Sequence, residues 1–203
     1  LKYWSAKQPW KKNNTLVPIN TLRITNGAYP TKTEQAIGRY LSELKQEKDP
    51  VSRLLFFALM CVLEQVSYTR KDGQYLRWDY RSNKTNGGNK FNKGRIYEFD
   101  NAIVHKIDEI INDIENPQTP SLFTEAKSKH GSIKLHKGSC LYILPDLAKN
   151  AYDAIITSPP YCNRYDYTRT YALEHAILGV DEDELLKLRQ SMLCCTVENR
   201  PKN

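Results

Sequence analysis

Apolar residues recur at helical spacing in three stretches of the first half of the chain. Ile37, Tyr40, Leu41 and Leu44 share one face of a segment opening with Thr31 and Glu34, a pair spaced as a capping box. Asp49 then precedes Pro50, the pairing expected of an N-cap and a first helical residue. The run from Leu54 to Leu63 behind it is apolar all round, which predicts a helix buried on several sides. Phe99, Ile103, Ile107, Ile110 and Ile114 predict a third helix over about 98–114. Residues 1–30 are polar, interrupted by proline and rich in aromatics (Tyr3, Trp4, Trp10, Tyr29), with at most a short strand near Leu22–Thr25.

The pattern changes after Asn116–Ser121, a stretch with two prolines that reads as a linker. Ser132 to His136 predicts a short strand, and Gly138 to Leu147 a brief helical or irregular piece. Tyr152-Asp153-Ala154-Ile155-Ile156-Thr157 predicts a second strand, with β-branched residues and too few polar ones to face water. Helices at about 168–178 and 182–192 follow, the latter with Asp181 and Glu184 as a capping box. There is no internal repeat. The expected class is α/β, with a mainly helical segment over 1–116 and an α/β segment over 132–203.

Charge adds a second layer. The 203 residues hold 30 Lys and Arg against 23 Asp and Glu, a formal charge of +7. Between Arg70 and Arg95 there are eight basic residues and two acidic ones, so most of the excess sits in one stretch. Two readings fit: a solvated basic loop, or a set of phosphate contacts releasing counterions from a nucleic acid. Asn83 to Gly94, rich in Asn, Gly and Lys, reads as a long loop. Tyr75, Trp78 and Tyr80 are interleaved with the charges and suit either a core or base stacking.

Five cysteines (Cys61, Cys140, Cys162, Cys194, Cys195) lack CxxC spacing, and four histidines form no zinc pattern. Cys61 and Cys140 lie in apolar runs and read as small core residues. The expectation is a metal-free chain from a reducing compartment, the cytoplasm. No apolar run approaches the ~18–20 residues of a membrane span, so no membrane partner is expected. The chain opens Leu-Lys-Tyr-Trp-Ser, without an initiating Met or a signal-peptide pattern, as a piece of a longer protein would.

Candidate chemistry centres on Asp153-Ala-Ile-Ile-Thr-Ser-Pro-Pro-Tyr161. The apolar strand would end where open α/β sheets place their ligands. Pro159 and Pro160 forbid helix and ladder alike, hold the backbone extended and leave their carbonyls free. Ser158 adds a small donor and acceptor, and Tyr161 an aromatic face. This set suits methylation of an exocyclic amine on a nucleobase. Such a nitrogen is a poor nucleophile because its lone pair is delocalised into the ring. Acceptors on its N–H groups, the Ser158 oxygen and the Pro159 carbonyl, would localise the pair, while Tyr161 stacks on the flipped base. An ordinary Pro-Pro turn is the alternative, but a chance match to these four residues in a chain of this size is roughly one in a thousand.

Residues 133–200 resemble the amino-methylating DNA methyltransferases, cytosine-N4 or adenine-N6 specific, of restriction–modification systems. The stretch from Ser158 to Glu174 and the run Tyr68-Thr-Arg-Lys-Asp-Gly-Gln-Tyr-Leu-Arg-Trp-Asp79 resemble one subgroup, which extends the likeness over most of the chain. The resemblance implies a partial Rossmann-like methyltransferase sheet with a helical N-terminal or inserted segment. It also implies S-adenosyl-L-methionine as methyl donor and double-stranded DNA as substrate, with cytosine N4 favoured over adenine N6. Ser158, Pro159, Pro160 and Tyr161 would be catalytic. Gly138-Ser139-Cys140 resembles the strand-end motif beside the cofactor's adenine, with Ser139 where an acid is usual, so Gly138, Ser139 and Ser158 are the implied cofactor contacts; a plain glycine turn is the alternative for Gly138 and Ser139. Asn163, Arg164 and Tyr165, with Asp166, Tyr167 and Arg169 behind them, would line the base or DNA path, unless they form only a salt-bridged helix start. Arg70, Lys71, Arg77, Lys90 and Lys93, with Arg81 and Lys84, are the expected phosphate contacts.

One family element is absent: no Phe-x-Gly-x-Gly segment occurs, and the adjacent Gly87 and Gly88 sit in the basic stretch rather than after an apolar strand. The expectation is therefore a fragment, inactive alone, whose partners include the rest of the enzyme or a cognate restriction endonuclease. Two rival readings remain: a non-catalytic DNA-binding fragment, and a methyltransferase acting on RNA or on a protein glutamine amide.

Overall fold

Two tryptophans from the polar N-terminal stretch organise the helical body. The computed structural model describes residues 1–72, 75–84, 90–116, 132–158 and 166–191. They fall into two units, one formed by 1–117 with 160–203 and the other by 118–159. Trp4 lies in helix α1 (Lys2–Lys7) and Trp10 in the 3-10 turn Pro9–Lys11. Their rings stack with centroids 5.6 Å apart, and both meet Tyr40 edge-on at 5.1 and 5.3 Å. Tyr40 in turn meets Phe99 at 5.5 Å. Each polar tip finds a partner, as buried aromatic tips must: Trp4 Nε1 donates to Glu47 at 2.6 Å, Trp10 Nε1 to Asp100 at 2.7 Å, and Tyr40 Oη to the Leu55 carbonyl at 2.9 Å. The N-terminal stretch, read from sequence as irregular with at most a strand near Leu22–Thr25, is thus partly helical, and Leu22–Thr25 lies in a turn.

The three long helices stand where the apolar spacing puts them: α2 (Thr31–Leu44), α3 (Val51–Val66) and α4 (Phe99–Glu115). Their starts differ from expectation. Pro30 occupies the cap of α2 and accepts from Glu34 N at 2.9 Å, so Thr31 lies inside the helix and no capping box forms. Pro50 takes the cap of α3, and Asp49 instead accepts from Ser52 Oγ and pairs with Arg53, each at 3.1 Å. Helix α3 buries Leu55, Ala58, Leu59, Val62, Leu63 and Val66 but leaves Phe57 57% exposed, so its burial is one-sided.

Hairpin β1 (Thr69–Lys71) and β2 (Leu76–Trp78) is the one sheet among the described residues. Beyond residue 166, α6 (Tyr167–Thr170) and α7 (Ala172–Ile177) replace one predicted helix, interrupted at Tyr171. Helix α8 (Glu182–Ser191) carries the predicted capping box, with Glu184 N donating to Asp181 at 2.8 Å and Asp181 N to Glu184 at 3.3 Å. Ala172, Leu173, Ala176 and Leu185 are buried in the same core as the N-terminal helices.

The other unit differs most from the sequence reading. Residues 132–137 and 151–158 form no ladder, and Ile133, Leu135, Ile155 and Ile156 are 86–100% exposed. A strand needs a neighbour for its backbone groups and a cover for its apolar faces, and no described residue supplies either. The short helix α5 (Cys140–Ile143), followed by a 3-10 turn at Leu144–Asp146, matches the brief helical piece expected there. Cys140 is exposed rather than core, and Cys61 is half-buried. No described helix is long and apolar enough to cross a membrane.

At Gly38 the N-terminal strap crosses α2. Val17 N donates to the Gly38 carbonyl at 3.3 Å, and a Cβ on Gly38 would come within 2.7 Å of the Val17 oxygen. Gly38→Ala is expected to destabilise the fold by about 1–3 kcal/mol, as overpacking against backbone does, read as a lowered urea midpoint with unchanged m-value.

Candidate nucleic-acid interface

The hairpin sorts its side chains by face. Strand alternation sends Thr69, Lys71, Leu76 and Trp78 to one side and the cross-strand pair Arg70 and Arg77 to the other. Thr69 is fully buried and Leu76 nearly so, whereas Arg70 and Arg77 are exposed. Like charges directly opposite on a hairpin repel. Arg77 is partly compensated by Asp72 at 3.7 Å and lies over the Phe91 ring at 4.2 Å. Arg70 and Lys90 make no side-chain hydrogen bond or ion pair among the described residues, and both are exposed.

Behind the hairpin sits a fully buried carboxylate. Asp79 accepts from Arg81 Nε at 2.6 Å, Arg81 Nη2 at 2.9 Å and the backbone N–H groups of Arg81 and Lys93 at 2.9 and 2.6 Å. Hydrogen bonding from the Arg81 side chain, aided by the two backbone donors and outweighing burial, holds this carboxyl well below the usual range. Arg81 also donates to the Gly94 carbonyl at 2.6 Å, closing the loop after the hairpin.

The expected phosphate contacts therefore divide. Lys93 turns inward: its ammonium donates to the Glu64 carbonyl and to the Ser67 carbonyl, and burial pushes it down to about 8. Lys71 pairs with Glu174 and lies 4.4 Å from the Tyr171 ring centroid, tying the hairpin to α7. Lys84 reaches the Asn26 carbonyl and covers Trp78 at 4.6 Å. Arg70, Arg77 and Lys90 face solvent. Sequence reasoning missed the hairpin itself, although Asp72-Gly73 between alternating residues is a turn signal.

Asp166 starts α6. Its Oδ1 accepts from Thr168 N at 3.1 Å and Thr168 Oγ1 at 2.5 Å, and its Oδ2 faces Arg169 Nε at 3.2 Å and Arg189 Nε at 3.5 Å. That is the salt-bridged helix start considered for this segment. In the other unit, Ser139 caps α5, its hydroxyl accepting from Leu141 N at 3.3 Å. Gly138 has φ +154°, and a Cβ there would meet Ile143 Cδ1 at 3.1 Å. Ser158 ends an exposed stretch without regular secondary structure. Pro159, Pro160, Tyr161, Asn163, Arg164 and Tyr165 lie outside the described residues.

Among curated proteins, the chain is similar to two named Type II methyltransferase M.AvaI, from Nostoc sp. and Anabaena variabilis. Each is 52% identical over 200 residues, which is 98% of this chain and 41% of the relative. Type II methyltransferase M.BsoBI of Geobacillus stearothermophilus is 44% identical over 199 residues, 91% of this chain and 38% of that protein. The chain thus spans about two fifths of the length of these relatives. No family model matches, and no solved structure does.

Asp79→Asn keeps the shape and removes the charge, so it should cost about 2 kcal/mol at pH 7, the scale of a charge-assisted hydrogen bond. The unfolded carboxyl titrates near its ordinary 3.8 and the folded one lower. Its contribution is therefore complete above about pH 4 and is lost as pH falls toward the folded value. Chemical denaturation from pH 7 to pH 2 should show the gap between variant and wild type closing only below about pH 4.

Proposed function

We propose that this chain is part of an S-adenosyl-L-methionine-dependent DNA methyltransferase of a restriction–modification system, modifying an exocyclic amine of a base, cytosine N4 in preference to adenine N6. One observation carries the reading: the likeness to Type II methyltransferases runs over 98% of the chain, and Ser158-Pro159-Pro160-Tyr161 lies within that length. The proposed setting is the cytoplasm, with double-stranded DNA as substrate.

In this reading the Ser158 hydroxyl and the Pro159 carbonyl accept from the two amine N–H groups and localise the nitrogen lone pair, while Pro160 keeps the turn extended. Tyr161 stacks on the flipped base. The work is positioning and preorganised polarity: a serine hydroxyl is too weak a base to take the proton, which passes to water once the nitrogen carries the methyl group and is acidic. Asn163, Arg164 and Tyr165 line the approach. Arg70, Arg77 and Lys90 are the proposed phosphate contacts, and Lys71 and Lys93 act instead as ties within the fold.

The donor supplies an electrophilic methyl group, but the described residues do not make a site for it. The space beside Gly138 is taken by Ile143, and the Ser139 hydroxyl is used by its helix. No Phe-x-Gly-x-Gly segment occurs in the 203 residues. The cofactor site and a Rossmann-like sheet enclosing Ile133, Leu135, Ile155 and Ile156 are therefore proposed to need the remaining part of the enzyme.

The test is fragment complementation. The chain alone should transfer no labelled methyl from S-adenosyl-L-methionine to duplex DNA. Mixed with the part of the Nostoc relative that it does not match, it should do so, giving N4-methylcytosine on nucleoside analysis. Ser158→Ala should cut that rate by about 100-fold. Label in tRNA or protein, or robust turnover by the chain alone, would sink the reading. Arg70→Ala with Arg77→Ala should lower the salt slope of duplex binding by about 2 while leaving sequence preference unchanged.

A further inference from the structure

Arg70 and Arg77 lie on the outer face of the hairpin, and its inner face opens elsewhere. There a groove of about 910 Å³ is lined by Arg23, Tyr75, Trp78, Lys84, Arg169 and Arg189. That size falls in the range of about 300–1,000 Å³ typical of ligand sites. Two features make it more than a gap between elements.

The first is aromatic. Trp4 and Trp10 are sealed in the core at 1% and 0% exposure, whereas Trp78 is half-buried and forms part of the groove wall. Tyr75, 49% exposed, lines the same groove. The ammonium of Lys84 lies 4.6 Å from the Trp78 ring, placing a cation against the aromatic surface.

The second is fixed charge. Four cations face the groove, and two carboxylates accompany them. Glu182 is turned to the Arg23 backbone, accepting from its N–H at 2.5 Å. Asp166 Oδ2 lies 3.2 Å from Arg169 Nε and 3.5 Å from Arg189 Nε, and Arg189 Nε donates to Thr168 Oγ1 at 2.9 Å. Arg23 and Lys84, both exposed, add their charges at the mouth of the groove.

An aromatic platform in a basic groove is the arrangement that binds unpaired nucleic acid, the base on the ring and the phosphates on the cations. A purely anionic ligand would have no use for the rings, and an apolar one none for the arginines. We propose that this groove holds an unpaired segment of the DNA substrate, one base stacked on Trp78 in place of the Lys84 ammonium, which swings with its flexible stem to join Arg23 on the adjoining phosphates. The inference rests on the reading of DNA as substrate and adds a second contact surface to it.

Trp78 is also the reporter. With Trp4 and Trp10 sealed, a ligand in the groove should quench the emission of Trp78 alone. The 203-residue chain is titrated with a fluorophore-labelled 12-nucleotide single strand and with its duplex, following anisotropy and tryptophan emission together. The single strand should quench more strongly than the duplex, and Trp78→Phe should bind while losing the quench. Trp78→Ala should weaken single-strand binding about tenfold. Arg23→Ala, at an exposed site, should weaken it too with an unchanged melting temperature, and Tyr75→Ala is the second variant should Trp78→Ala unfold. Binding with unaltered tryptophan emission, or equal quenching by duplex or by polyglutamate, overturns the groove and leaves the DNA reading standing. Failure to bind either DNA overturns both.

Discussion

The buried carboxylate of Asp79 is the constraint on which the basic half of this protein depends. A carboxylate at zero exposure costs several kcal/mol in desolvation unless its oxygens are fully met. Asp79 meets that condition with donors from two places: Arg81, two residues on, and the backbone of Lys93, fourteen residues on. Its own N–H donates to the Tyr68 carbonyl at 2.7 Å, fixing the end of the hairpin. One side chain therefore closes the segment between β2 and α4, and Lys93 completes the closure at the carbonyls that end α3.

That closure decides what the positive charge can do. Eight basic residues lie between Arg70 and Arg95, but charge counted along a sequence does not say where an ammonium points. Arg81, Lys93 and Lys71 are used as ties to Asp79, to α3 and to Glu174. Arg70 and Arg77, adjacent across the ladder, stay outside, and their mutual repulsion is what a phosphate would relieve. Lys84 stays over Trp78 on the inner side. A stretch that looks uniformly basic is divided by its fold into structural cations and cations available to a ligand.

The body supporting this arrangement uses the same economy of polar contacts. Trp4 and Trp10 bring apolar area from a polar segment, and Glu47 and Asp100 satisfy their indole N–H groups. Helices from beyond residue 166 then join the core through Leu173 and Leu185, with Lys71 and Glu174 as the polar link. Residues 132–158 stand in contrast. Their apolar side chains lie open to solvent, which is what β-branched segments show when their ladder partners are not among the described residues.

Local pattern determined a good part of this by itself. The spacing of Ile37, Tyr40 and Leu44 and of Phe99, Ile103 and Ile107 placed α2 and α4, because a 3.6-residue period is a property of the chain alone. The Asp181 and Glu184 box marked α8, because a capping box spans only four consecutive residues. Ser158-Pro-Pro-Tyr pointed to a chemistry for the same reason: the four groups that would act are contiguous. Tertiary structure decided the rest. Whether Lys93 points to solvent or to the end of α3, whether Trp4 is surface or core, and whether Ile155 finds a neighbouring strand all depend on partners distant along the chain, and no local window contains them.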